Sequence, residues 1–165
     1  TVDNLQGLAV ADVQTGKVLS EAKAPGMDCG RGAHGSCVHG AAMSHDEKEV
    51  WQIDTFNGKP GGYIHIFDVI NNGDAVKFKQ HIPTRAVLGW ITCSIDGTRM
   101  YPASGEVIDQ KTKKTIALLT DEEGRVAQSE KLLEVKFSKG KVVQVGSQWC
   151  TGKVGAPSRV AAQTE

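Results

Sequence analysis

The chain has 165 residues with 19 basic and 19 acidic side chains, so its formal net charge at neutral pH is zero. A balanced charge offers no long-range attraction for nucleic acid or for an anionic membrane. No run of residues approaches the roughly 18 consecutive apolar positions needed to span a bilayer. Composition therefore predicts a neutral domain with its own core, no nucleic-acid partner and no membrane span.

The first predicted element is a hairpin with strands over residues 7–13 and 17–22, joined by a polar turn. A loop rich in glycine, cysteine and histidine follows over residues 25–39. Alternation of apolar and polar residues then predicts four strands, at 40–44, 49–54, 63–69 and 75–81. Glycine and asparagine between these strands supply the positive φ angles that tight turns need.

The second half of the chain repeats this plan. Four more strands are predicted, at 90–95, 98–103, 105–109 and 114–119. Two last strands, over 131–137 and 141–148, are joined by a turn at Ser138–Gly140. Residues 1–150 are predicted to form the folded unit and 151–165 a disordered tail, because the tail is small and polar.

Two short phrases recur along the chain. Asp12, Asp68 and Asp109 each end a β-rich run before a polar turn, and their recurrence predicts that they cap these turns. The Ser-x-Asp phrase at Ser44 returns at Ser94. Repeats of about 40–50 residues built from short strands are typical of β-propellers, with one four-stranded blade for each repeat. The predicted fold is therefore all-β, a β-propeller segment of about three blades, with two complete blades and a half-blade at each end.

The half-blades bear on partners, because unpaired strand edges invite pairing. Propellers typically have at least four blades, so this chain is not expected to close on itself. Two alternatives follow. Either two copies associate and complete each other's half-blades, giving six blades, or the chain is one part of a larger propeller whose other half is missing.

A concentration of metal-binding residue types lies before the first complete predicted blade. His34 and His39 are candidate metal ligands, and Cys29 and Cys37 flank the same glycine-rich loop. The alternative is a local disulfide between Cys29 and Cys37 that closes the loop, or a flexible loop, since the spacing matches no standard zinc finger. Cys93 alternates within a strand and is predicted to be a small buried hydrophobic residue.

Three residues are candidates for a ligand site at the channel mouth. His39 opens the innermost predicted strand, where it could ligate a metal, act as a base or hydrogen-bond a neighbouring blade. Asp54 precedes a long loop and is the candidate carboxylate partner of His39. Trp90 occupies a related position in the next repeat and could stack on a ligand or pack in the core. His65 shares a strand face with Tyr63 and is predicted to be a satisfied packing histidine.

Several phrases together carry a family resemblance, namely Gly89-Trp90-Ile91-Thr92, Gly105-Glu106-Val107-Ile108-Asp109 and Ser129-Glu130-Lys131-Leu132-Leu133-Glu134. From about residue 5 to 150 the chain resembles the bacterial YVTN-type (WD40-like) β-propeller family, and looks like the C-terminal half of a longer member. The resemblance implies a propeller fold and a periplasmic or extracellular location. It implies no single activity.

The leading functional hypothesis is a β-propeller scaffold or ligand-binding module that completes a ring by association. The alternative is a metal-dependent, lactonase-like hydrolase, in which a divalent cation held by His39 and Asp54 polarises a carbonyl. A purely structural or adhesive surface protein is a third possibility. Whether the chain is an enzyme stays open at this point.

Overall fold

The computed structural model describes residues 5–26, 38–54, 61–86, 89–129 and 131–146. Within these residues the chain is all-β, with one short 3-10 helix at Asn71–Gly73. The strands in chain order are β1 (Gly7–Ala11), β2 (Val18–Lys23), β3 (Val38–Met43), β4 (Glu49–Asp54), β5 (Tyr63–Ile70), β6 (Ala75–Pro83), β7 (Ile91–Cys93), β8 (Arg99–Pro102), β9 (Glu106–Asp109), β10 (Thr115–Leu118), β11 (Val135–Ser138) and β12 (Lys141–Val145). No helix in this described part of the chain is long and apolar enough to cross a membrane.

The strands form four antiparallel sheets. β3 to β6 form a four-stranded sheet, here called sheet I, and β7 to β10 form sheet II, with sequence neighbours paired in both. β1 and β2 form the N-terminal hairpin, and β11 and β12 form the C-terminal hairpin. The all-β prediction and the predicted pairing of two, four, four and two strands are confirmed. The boundaries shift by a few residues, as where β1 ends at Ala11 because the next residue already belongs to the turn.

The turn of the N-terminal hairpin has the same structure as the last turn of sheet II. Asp12 Oδ1 accepts hydrogen bonds from the backbone N of Thr15 at 2.6 Å and from its Oγ1 at 2.7 Å. Asp109 Oδ1 accepts from the same two atoms of Thr112 at the same distances. The predicted capping role of Asp12 and Asp109 is therefore confirmed. These bonds are the local competition with regular strand pairing that makes aspartate favourable in turns.

The Ser-x-Asp phrase also forms one repeated turn, between the first and second strands of each four-stranded sheet. Ser44 Oγ donates to Asp46 Oδ1 at 2.7 Å and accepts from two following backbone amides at 3.1 and 2.8 Å. Ser94 Oγ donates to Asp96 Oδ1 at 2.5 Å and accepts from the equivalent amides at 3.1 and 3.0 Å. The hydroxyl hydrogen bond holds the pKa of Asp46 below its ordinary value and lowers the pKa of Asp96 to about 2, where Thr98 adds a second bond.

Two apolar clusters show how the sheets are stacked. The larger cluster joins Trp51 and Ile64 of sheet I to Met100 and Ile108 of sheet II, all fully buried. The smaller cluster lies between the N-terminal hairpin and the other face of sheet I, and is formed by Leu8, Ala24, Val38, Phe67 and Val76. Sheet I is therefore covered on both faces. Alternation along its strands sends successive side chains to opposite cores.

The C-terminal hairpin differs from the N-terminal one because its apolar side chains are exposed. Val135 pairs with Val145 and Phe137 with Val142, so these side chains share a face. Phe137 has 63% of its surface exposed and Val145 has 51%. Val143 on the same strand is 48% exposed. A contiguous apolar surface of this kind is uncommon on a monomer and is typical of an interaction site.

Candidate functional site

The start of β3 and the segment entering β7 lie in contact. His39 Nδ1 is 2.7 Å from the carbonyl oxygen of Gly89, and its ring meets that of Trp90 edge-on with centroids 5.9 Å apart. A Cβ added to Gly40 would lie 2.9 Å from Trp90 Cα, so glycine is needed at this close approach. Lys131 Nζ lies 4.5 Å from the centroid of a Trp90 ring, a favourable cation–π geometry.

These contacts fix the chemistry of His39. A carbonyl oxygen can only accept, so Nδ1 must carry the proton in this bond. In the neutral ring the other nitrogen, Nε2, is then the basic one. His39 is exposed to solvent. An imidazole held through Nδ1 by a carbonyl, with Nε2 basic, is the arrangement commonly found in histidine metal ligands and in histidine bases.

A second titratable pair is buried in sheet I, on the face that is covered by the N-terminal hairpin. Asp54 Oδ2 lies 3.3 Å from His65 Nε2, and these side chains are 0% and 2% exposed. The imidazole of His65 is also near the rings of Tyr63 and Phe78, with centroids 6.2 and 6.3 Å away. A carboxylate can only accept, so Nε2 of His65 is the donor in this contact.

Two atoms beside this pair have no hydrogen-bond partner among the described residues. They are His65 Nδ1 and Gln52 Oε1, and both are buried. Gln52 and His65 stand directly opposite each other on β4 and β5, and Gln52 Nε2 donates to Gly7 O of the N-terminal hairpin at 2.8 Å. A buried polar atom without a hydrogen-bond partner costs about 1–3 kcal/mol of folding free energy, so these polar groups destabilise the core.

Glu49 forms a charged clasp between the two four-stranded sheets. Its carboxylate accepts from Lys113 Nζ, from Lys79 Nζ at 2.9 Å and from Trp51 Nε1 at 3.0 Å. Burial by itself would raise the pKa of Glu49, but the bonds from the two lysines outweigh burial and hold the pKa below its ordinary value. Asp68, expected to cap a turn, instead pairs with Lys79 at 2.8 Å. Its carboxylate first, and then that of Glu49, raise the pKa of Lys79.

The predicted site residues fall into separate places. The structure brings His39 and Trp90 together and pairs Asp54 with His65 in the core, so joint ligation by His39 and Asp54 stays a prediction. His34, Cys29 and Cys37 lie outside the described residues. The pairing of Asp54 with His65 was missed, although Asp54 directly follows the buried strand residues and His65 shares the face of Tyr63.

Cys93 has a different chemistry from the one expected. It is buried, at 4% exposure, as predicted for a small hydrophobic residue. However, it is disulfide-bonded. The three other cysteines of the sequence lie outside the described residues, so the predicted bond between Cys29 and Cys37 stays a prediction. The sulfur of Cys93 therefore contributes a covalent constraint to β7 as well as packing.

In the described part of the chain, no group of three or more histidine, cysteine, aspartate or glutamate side chains is arranged to hold a metal ion. Comparison with known proteins finds no family model and no curated protein that matches the chain. The function of the site is therefore inferred from its own geometry.

Proposed function

We propose that this protein is a β-propeller module of the bacterial YVTN type that acts as a scaffold or ligand-binding unit and completes its ring by association. The observation that carries the proposal is the repeated architecture. Two four-stranded antiparallel sheets share one apolar core, and a two-stranded hairpin precedes and follows them. Stacked sheets of this kind, each with its strands in sequence order, are the units from which propellers are built.

The contact between successive first strands supports the same arrangement. In a propeller the first strand of each blade lies nearest the central axis, so first strands of neighbouring blades should approach each other. β3 and β7 lie close together, and His39 and Gly40 contact Gly89 and Trp90 just before β7. The exposed imidazole of His39 and the ring of Trp90 then lie at the mouth of the channel. They form the proposed contact surface for a small polar or aromatic ligand.

Native mass spectrometry beside the denatured mass tests the proposal. A completed ring of two chains would have a mass twice the 17.6 kDa of one chain. A single-chain mass at every concentration would overturn association. A bound small molecule that is lost from the variant His39→Ala but retained by His81→Ala would support the ligand site. His81 is a suitable control because it is also an exposed histidine on a strand.

The hydrolase alternative keeps one structural support, the basic Nε2 of the exposed His39. In the same spectra, this alternative predicts additional mass corresponding to one divalent cation per chain, together with hydrolysis of a lactone. Both should disappear in His39→Ala. Cation binding that is unchanged in His39→Ala would exclude this residue as the ligand.

A further inference from the structure

The two hairpins are complementary halves of one sheet, because they correspond to different strand positions. The turn that joins β1 to β2 has the same aspartate–threonine hydrogen bonds as the turn that joins β9 to β10. β1 and β2 are therefore equivalent to the third and fourth strands of sheet II. Their placement agrees, since β2 lies beside β6, the fourth strand of sheet I, and Ser20 Oγ accepts from Val76 N at 3.5 Å.

The C-terminal hairpin occupies the first and second positions. It follows β10, the last strand of sheet II, and the segment that enters it contacts the start of sheet II. Lys131 lies over Trp90, and Glu134 Oε2 accepts from Ile95 N at 2.8 Å. Trp90 in its turn contacts His39 at the start of sheet I. The segment that precedes the C-terminal hairpin thus contacts the segment that precedes sheet II, and the segment that precedes sheet II contacts the beginning of sheet I. By this equivalence β11 is a first strand and β12 is a second strand.

Each hairpin consequently has one open edge at the position where the other hairpin would continue the sheet. In sheet II the second strand, β8, pairs with the third strand, β9. β12 has no third strand and β1 has no second strand among the described residues. Both strands are five residues long. A four-stranded sheet would be completed in the order β11, β12, then β1 and β2 of another chain.

Charge patterning separates these open edges from the outer edge of sheet I, whereas the outer strand of sheet II, Thr115–Leu118, also has no charged residue. β6 is the outer strand of sheet I, and it carries Lys77 and Lys79 and ends in Pro83. Lysine and proline are the residues that protect an edge strand from pairing. β1 has no charged residue, and β12 has only Lys141 at its first position. The edges of β1 and β12 are therefore unprotected, as expected for strands that pair in the assembled protein.

We infer that β12 of one chain pairs in antiparallel fashion with β1 of a second copy of the same chain, an inference that rests on the proposed propeller architecture. The second copy is the occupant because it supplies the missing half for both open edges at once. A two-fold axis then repeats the contact and closes the ring with two composite sheets. The described residues of one chain supply strands for three blades, fewer than the four blades of the smallest common propellers, so the pairing is expected between two chains.

The apolar face of the C-terminal hairpin fits this assembly. Val143 and Val145 are exposed in the single chain. In the composite sheet, β12 would lie beside β1 of the second copy. The N-terminal hairpin of that copy already packs on its own sheet I through Leu8 and Phe67, so Val143 and Val145 would lie against the second copy. Burial of this surface provides the association free energy that two short edge strands alone would lack.

Hydrogen exchange at two protein concentrations, with the mass measured by light scattering at each, tests the pairing on the unmodified protein. Amides of Gly7–Ala11 and Lys141–Val145 should exchange at least about tenfold more slowly in the dimer, while the exposed outer strand Thr115–Leu118 should not change. Val143→Lys should weaken the dimer at least tenfold. Ile116→Lys is the matched control, since Ile116 is 54% exposed and Val143 is 48% exposed, so neither lysine should unfold the single chain.

The outcomes separate this inference from the proposed function. A dimer whose protection lies on β1 and β12 supports both. A dimer protected only elsewhere, or one weakened equally by Val143→Lys and Ile116→Lys, overturns the pairing and leaves association standing. A single chain at all concentrations overturns association and the pairing together.

Discussion

The charged clasp at Glu49 should contribute strongly to the stability of the fold. Glu49→Gln keeps an acceptor for Trp51 Nε1 but removes the charge opposite Lys113 and Lys79. The Glu49 and Lys113 side chains are only 11% and 14% exposed, and a hydrogen bond to a charged group contributes about 1.5–3 kcal/mol when it is shielded from solvent. Lys79 is 39% exposed and keeps Asp68, so its loss adds little. We expect Glu49→Gln to lower the free energy of unfolding by about 2–3 kcal/mol.

Urea unfolding followed by tryptophan fluorescence measures this loss. The protein concentration must be the same for each variant, because association stabilises the folded state by mass action. Asp68→Asn is the matched control, since it removes a carboxylate from the same lysine at a site that is 40% exposed, and it should cost less than about 1 kcal/mol. Equal losses for the two variants, or a loss below about 0.5 kcal/mol for Glu49→Gln, would refute the assignment of the clasp.

The pH dependence gives an independent check on the same clasp. Folding lowers the pKa of Glu49, so the unfolded state binds the proton more readily. The stabilisation by Glu49 is therefore complete above its ordinary pKa of 4.5 and is lost as the pH falls through the lower folded value. The difference in stability between the wild type and Glu49→Gln should shrink below about pH 4.5. A difference that stays constant down to pH 3 would contradict this origin.

Three further changes test other parts of the structure. Ser94→Ala should lower the unfolding free energy by about 1–3 kcal/mol, measured in urea, because the amides of a partly buried turn lose their acceptor. Gly40→Ala should destabilise by about 1–3 kcal/mol, seen as a lower thermal midpoint, because the new Cβ would meet Trp90 Cα at 2.9 Å. Reduction of the disulfide at Cys93 should cost about 2–5 kcal/mol, and an unchanged melting temperature in reductant would disagree with a structural bond.

Most of the strand architecture could be predicted from the sequence, because alternation and turn residues are local signals. Asp12 and Asp109 mark their turns through hydrogen bonds to residues only three positions away. Asp68 has the same place in its repeat, but the chain continues into β5 as far as Ile70 before it turns. Its carboxylate therefore meets a lysine of the adjacent strand instead of a turn amide.

The side-chain pairs across strands were less predictable, because they depend on register. The partnership of Asp54 with His39 stays a prediction, whereas the contact between Asp54 and His65 follows from register, because β4 pairs with β5 so that Asp54 stands opposite Tyr63 and reaches His65. A shift of one residue would have turned Asp54 to the other face of the sheet. The disulfide at Cys93 was missed because a strand pattern does not distinguish a buried thiol from a bonded sulfur.

Register also decides between a structural and a catalytic role for the buried pair of Asp54 and His65. Glu49 stands opposite Asp68 in sheet I, and Arg99 stands opposite Asp109 in sheet II. Counting along the strands from these two pairs makes Ser104 equivalent to Asp54, and Glu106 equivalent to His65. Ser104 Oγ donates to Glu106 Oε2, and both residues are buried.

Both four-stranded sheets thus have a buried hydrogen-bonded pair where the second strand turns into the third, made from different residues. Chemistry at a single site requires particular groups, whereas a pair that recurs with changed groups needs only a donor and an acceptor to satisfy each other. The pair of Asp54 and His65 is therefore best explained as a structural link. His39 is different, because its counterpart by the Ser44 and Ser94 alignment is Gly89, which has no side chain. This departure from the repeat, at the exposed position of an otherwise largely buried first strand, makes His39 the residue from which a search for the ligand should begin.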